Sequence, residues 1–365
     1  MKSQFLTSLA LASAVAVISL VPVTAFGEST PEPAPAINVA GFIDGYYAWN
    51  SNDPDSHENF VPGTGTTAKR SDEFALNLAC LEVSRDAKLS FKFSLVAGNG
   101  TEIVHAGEPQ GTATGSDTYE NIYEAWISYK ATDRLTIKGG IYPSHIGFEG
   151  FYSKDNWNYT RSWLGEFSPY YQTGANAAYR FNDHWSGELH VLNGWQIIGE
   201  NNDAKAIGAK VAYTGGKLSA SLSTFSGAEL ADNDDDLRHF GNLLVSYAIT
   251  PRVTVAASLD RGHQEYPASD AADWTGIGGY ARFTVSDKSA IAIRAEQFDD
   301  PDNGISGTAQ KLKEGTLTFE YRPVERLILK LEARHDSSTE PVFQEEGGNF
   351  SDSQTLIVFG AVATF

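Results

Sequence analysis

From Gly315 to Asp336 apolar and polar side chains alternate with a period of two, interrupted only by the turn Pro323-Val324-Glu325-Arg326. Leu317, Phe319 and Tyr321 share one face, and Thr316, Thr318, Glu320 and Arg322 the other. Beyond the turn, Leu327, Leu329, Leu331 and Ala333 oppose Lys330, Glu332, Arg334 and Asp336. A strand imposes that period and a helix does not, so the spacing predicts a β-hairpin with one oily and one charged face. The pattern recurs upstream. Leu89, Phe91, Phe93 and Leu95 oppose Lys88, Ser90, Lys92 and Ser94, while Leu135, Ile137 and Ile141 oppose Arg134, Thr136, Lys138 and Tyr142. Asp72–Ser84 also reads as a strand, but both its faces are largely apolar and its sides stay unassigned.

The connections obey a rule. Short turns at residues 85–88, 132–134, 182–184, 214–217, 250–252, 286–288 and 323–326 alternate with long ones near 51–71, 98–118, 143–170, 197–203, 227–237, 262–273, 299–311 and 337–352. The short turns carry the bases; acids cluster in the long connections, as at Asp232, Asp234, Asp235 and Asp236. A soluble sandwich has no cause to alternate in this way. A transmembrane antiparallel β-barrel of the outer membrane does, with short periplasmic turns and long external loops. The runs predict an all-β fold of about sixteen strands, an even number that returns both chain ends to the periplasmic side. A cation or carboxylate facing lipid at mid-depth costs ~2–4 kcal/mol, so the charged faces are expected to look into a wet lumen. A barrel of about this strand number is wide enough for an aqueous passage.

The start of the chain sets the compartment. Lys2, the apolar run Leu6–Val21 and the small residues near Ala25 predict a secretory signal peptide over 1–27. The proline-spaced stretch 28–36 reads as a periplasmic lead-in, and 37–365 as the barrel. No other stretch approaches the ~20 apolar residues of a spanning helix. Cys80 is the only cysteine, which rules out an internal disulfide. With 46 Asp+Glu against 27 Lys+Arg, a formal charge of −19, the chain lacks the basic footprint that nucleic-acid binding needs.

The run Ser153–Ser162, SKDNWNYTRS, together with Leu312–Asp336, resembles the OmpL-like β-barrel porins of Gram-negative bacteria. Gly41–Asn50, Asn193-Gly194-Trp195, Gly279–Phe283 and Arg294–Pro301 are similar to that family as well, in order, across nearly the whole chain after the leader. Thr160 stands where the family run has Ser, and Cys80 where it has an acidic residue. The resemblance implies a porin embedded in outer-membrane lipid, a water-filled channel for passive diffusion of small hydrophilic solutes or ions. The last strand, ending at Phe365, resembles the C-terminal aromatic signature read by the barrel assembly machinery. Analogy with general porins implies a homo-oligomer.

Residues 143–170 form the third external loop, which in constricted porins folds into the barrel. If it does so here, His145, Glu149, Lys154, Asp155 and Arg161 make a pore eyelet, with Lys154, Asp155 and Arg161 setting a transverse field. The other placement lies over the rim against neighbouring loops. Lumen-lining candidates on the strands are Lys92, Lys138, Arg282, Arg294, Glu296, Lys330, Glu332 and Arg334, whose mixed signs leave the ion preference open. His184, Glu188 and His190 share parity, yet three residues along one strand span too far to close on a metal unaided, and neither metal nor cofactor is expected. There is no nucleophile elbow or phosphate-cradling loop, and Ser144 and His145, adjacent on a strand, would point to opposite faces. Two alternatives remain: a non-conducting structural or adhesive barrel, and a barrel hydrolase.

Overall fold

The computed structural model describes residues 36–60, 65–109 and 119–365. The expected signal peptide lies outside the described residues, as does all of the 28–36 lead-in except Ala36.

Sixteen antiparallel strands close into one barrel. The first, Asn38–Asn50, pairs with the second, Phe74–Arg85, and also with the last, Ser353–Thr364. Every other strand pairs with the strands before and after it in the barrel. In the hairpin Gln310–Tyr321/Leu327–Ser338 the register sets Glu320 opposite Lys330, Thr318 opposite Glu332 and Thr316 opposite Arg334. These six are turned inward, while Leu317, Phe319 and Leu331 stand exposed on the outer wall. Polarity is therefore inverted relative to a soluble sandwich, as a lipid-facing exterior requires.

Closing the ladder leaves no edge strand and pairs the backbone polar groups of the wall, which is the condition for crossing hydrocarbon. Main-chain bonds between Gly41 and Phe365 pin the chain end at the seam, with Phe365 N–H donating to the Gly41 carbonyl at 3.0 Å.

The second strand explains its own ambiguity. Opposite Asp44 and Gly45 stand Leu78 and Leu76, so Asn77 is the extra residue of a β-bulge. A bulge reverses side-chain parity. Leu76 is exposed outside and Leu78, two positions on, is buried inside with Cys80. The Asn77 amide donates to Asp44 Oδ2 at 2.7 Å, fixing the kink.

The long connections hold short elements that the alternation does not foreshadow: the helix Asn99–Val104, the helical turn Trp163–Glu166 and a ribbon of Phe343–Gln344 with Phe350–Ser351. At this end the interior is not wet. Tyr46, Tyr142, Leu192, Phe225, Phe240, Trp274, Phe298, Leu312 and Leu356, all near the long-loop ends of their strands, pack with Tyr159, Trp163, Phe167 and Trp195 in one buried cluster. Toward the short-turn end the inward positions are smaller, among them Ala178, Ser186, Ala212 and Ser221, and they keep partial exposure.

Candidate functional site

The segment between Pro143 and Tyr171 enters the barrel and is bonded most densely to the strands that carry Asp44, Glu296, Lys330, Glu332 and Arg334, with further contacts to Cys80, His190 and Thr224 across the interior. Gly147, at φ 91, turns the chain inward. Ser162 Oγ accepts from Gly165 N–H at 2.9 Å and starts the helical turn, while Glu149 Oε2 accepts from Ser162 N–H at 2.7 Å. Irregular backbone in a dry interior must find partners for each N–H and C=O or forfeit their solvation. Here the wall supplies them. Glu332 takes Tyr159 N–H at 2.5 Å on one oxygen and Thr160 N–H at 2.9 Å on the other. Glu296 accepts from the Trp163 and Leu164 amides. Lys330 Nζ donates to the carbonyls of Ser153, Asn156 and Asn158 at 2.8, 2.6 and 3.2 Å.

The arginines close the same network. Arg294 bridges Glu149 and Glu314 at 2.8 and 2.7 Å and also donates to Thr160 O. Arg334 pairs with Asp336 at 2.8 Å and donates to Arg161 O at 2.5 Å. From the first strand Asp44 accepts from Tyr159 Oη at 2.7 Å and Ser153 Oγ at 2.5 Å. Gly360 makes room for the Tyr159 ring, since a Cβ there would lie 2.3 Å from it.

Arg294, Glu296, Lys330, Glu332 and Arg334 thus face inward, but the expectation that they line an open lumen is corrected: the loop covers all five, and each is buried. Their charge is spent on backbone groups and ion pairs instead of on water. The eyelet is corrected in the same way. His145 and Arg161 are buried, and the Glu149 side chain is enclosed with Arg294. Arg161 donates to Gly150 O at 2.9 Å and Thr66 Oγ1 at 2.6 Å and lies over the Phe151 and Tyr170 rings, so it holds the loop together and presents no field to a passage. Of the five eyelet residues only Asp155 keeps an exposed side chain, at 61%, and it pairs at 2.8 Å with the half-buried Lys154. Asp44, Glu314 and Asp336 complete the network without having been singled out. Glu314 and Asp336 share the charged parity of their hairpin and were legible on that ground; Asp44, in a Gly- and Tyr-rich strand, carried no such signal.

The barrel is closed by sixteen strands and holds one long loop inside it. The family model described as "Putative beta-barrel porin-2, OmpL-like" matches residues 36–365. The chain belongs to this OmpL-like porin family. No curated protein matches the sequence. Among solved structures, an anion-selective porin from Comamonas acidovorans superposes with a TM-score of 0.60 at 14% identity, covering 90% of this chain and 99% of that one. OmpT of Vibrio cholerae in its trimer form gives 0.59 at 12% identity, covering 91% and 100%. The outer-membrane channel DcaP of Acinetobacter baumannii gives 0.56 at 12%, covering 90% and 97%. At these identities the likeness is one of fold.

In this OmpL-like barrel a second set of inward charged groups, Lys92, Lys138, Arg282 and Glu188, keeps partial exposure. Lys92 lies 2.7 Å from both Glu82 and Glu124. Lys138 sits over the Trp126 ring at 4.7 Å, and Arg282 pairs with Glu320 at 3.0 Å. Glu188 reaches His190 Nε2 at 3.3 Å, and that imidazole stacks on His145 of the loop with ring centroids 4.2 Å apart. His184 is elsewhere, in the short turn, with its Nδ1 on Thr214 O. His145 Nε2 lies 3.0 Å from the Thr224 carbonyl and Nδ1 lies 2.7 Å from the Gln172 side-chain amide, so the ring does not engage Ser144. Burial, and next the facing His190, press the His145 imidazole down to about 4.

Proposed function

We propose that this OmpL-like barrel is an outer-membrane channel, not an enzyme, through which small hydrophilic solutes or ions diffuse passively along the wall that the folded loop leaves uncovered. The observation that carries the reading is the division of the interior. Where the loop is bonded most densely Arg294, Glu296, Lys330, Glu332 and Arg334 are consumed by it, and elsewhere Lys92, Lys138, Glu188 and Lys210 retain partial access to solvent. Charged groups left accessible inside a lipid-facing barrel need water, and water in a barrel of this strand number is the start of a conduit. The cluster around Trp163 and Trp274 narrows the long-loop end, so the passage is off-centre and its conductance small.

Single-channel recording of the refolded chain in planar bilayers tests this. Small, resolved current steps are the expected result, and a folded barrel that inserts without any current would overturn it. That same apolar cluster favours a second reading, a non-conducting structural or adhesive barrel. The hydrolase reading has no support in the geometry, because His145 is engaged away from Ser144. Export by a cleaved leader over 1–27, delivery through Phe365 to the assembly machinery and assembly as a homo-oligomer, in line with the trimeric Vibrio cholerae barrel, complete the proposal.

A further inference from the structure

Most ionised groups of the barrel interior touch a partner. Lys210 acts on the Glu188 carboxylate only at a distance. It stands on the inner wall of the strand Ala206–Gly215, directly across from Glu188 in register, but the Glu188 carboxylate turns to His190 instead. Among the described residues Lys210 has neither an ion-pair nor a hydrogen-bond partner on its amino group. Beneath it the barrel wall is hollowed into a cavity of about 180 Å³, lined by Thr214, Ser219, Ser221 and Ser246, with Ala212 and Leu244 between them. None of those four hydroxyls is committed to another side chain or to the backbone. One cation and four uncommitted hydroxyls therefore converge on a single hollow.

We propose that this cavity is a binding subsite for a small hydroxylated monocarboxylate, a sugar acid, with Lys210 holding the carboxylate and Thr214, Ser219, Ser221 and Ser246 meeting the hydroxyls. This deepens the channel reading and rests on it, by naming a class of solute. The chemistry selects the class. A lysine ammonium is a compact point charge suited to one anionic group, and a second carboxylate on the ligand would find only Glu188 nearby. Serine and threonine hydroxyls both donate and accept, matching a polyol chain that does the same. Ala212 and Leu244 offer an apolar floor to the carbon skeleton. The hollow is of a size to seat one small solute.

The test uses the whole chain folded in detergent micelles and titrated calorimetrically with sodium gluconate and, separately, with the uncharged polyol sorbitol. Gluconate is expected to bind at least about tenfold more tightly, the effect of one charge-assisted contact. K210Q should bring gluconate down to the sorbitol level. S246D, which sets a carboxylate into the same cavity while keeping the lysine, should do likewise and decides the matter should K210Q fail to fold. Equal affinities for gluconate and sorbitol, or gluconate binding untouched by the variants, would overturn the site. Bilayer recordings on the same preparations separate the two ideas. Current without gluconate preference sinks the subsite and leaves the channel standing, whereas gluconate binding without current does the reverse.

Discussion

Replacing Glu332 with Gln probes the fold-in of the loop at its most heavily used acceptor. The carboxylate receives Tyr159 N–H and Thr318 Oγ1 on one oxygen and Thr160 N–H and Thr160 Oγ1 on the other. Both oxygens accept, and the site is buried. A glutamine of the same shape must turn its NH₂ toward one of these donor pairs, leaving a backbone N–H without an acceptor and removing the charge that strengthened the remaining bonds. An orphaned buried donor costs about 1–3 kcal/mol and the lost charge assistance adds a comparable amount, so the docked loop should weaken by roughly 3 kcal/mol. That is roughly a 150-fold rise in the fraction of molecules with the loop released. Trypsin is a direct reporter, because Lys154 and Arg161 lie in this loop and Arg161 is buried while it is docked. Cleavage at Arg161 should accelerate by about that factor, and single-channel current should rise as the covered wall opens. Heat-modified gel mobility should stay that of a closed barrel, since the strand ladder does not involve the side chain. Equal cleavage rates in E332Q and the parent, with both folded, would refute the view that the wall charges exist to hold the loop.

Three further outcomes follow from the same geometry. G360A drives a methyl into the Tyr159 ring and should also raise trypsin cleavage of the loop, whereas an alanine at Gly315, where a Cβ meets open space, should not. His145 is held well below the ordinary histidine value, so its neutral form favours the docked loop: the contribution is full above about pH 6.5 and fades toward pH 4, at most about 3 kcal/mol. Acidification across that window should speed cleavage, and H145Q should flatten the profile. K92Q leaves the half-buried Glu82 and the buried Glu124 without their cation and should move the reversal potential in a salt gradient toward cation selectivity; an unchanged potential would place Lys92 outside the conducting path.

The closed barrel was legible along the chain because its cause is local. A period of two with lipid on one side leaves each strand little choice of face, and the alternation of short and long connections dictates a neighbour-to-neighbour meander. Local reasoning fails where one residue breaks the period. Asn77 bulges out, so Leu76 and Leu78 take opposite faces despite their equal parity, and only the register against Asp44 and Gly45 reveals it.

The interior divides along the same line. That Lys330, Glu332 and Arg334 point inward follows from their alternation with Leu329, Leu331 and Ala333, a matter of sequence alone. What they meet there does not. Nothing in the run SKDNWNYTRS states that its carbonyls will be gathered by Lys330 or its amides by Glu332, because those partners lie some 170 positions away and are brought near only by closure of the barrel. An inward charge satisfies its electrostatics equally with water or with a folded loop. Sequence periodicity chooses the side of the wall, and the three-dimensional crowding of aromatic loops decides which of the two it finds.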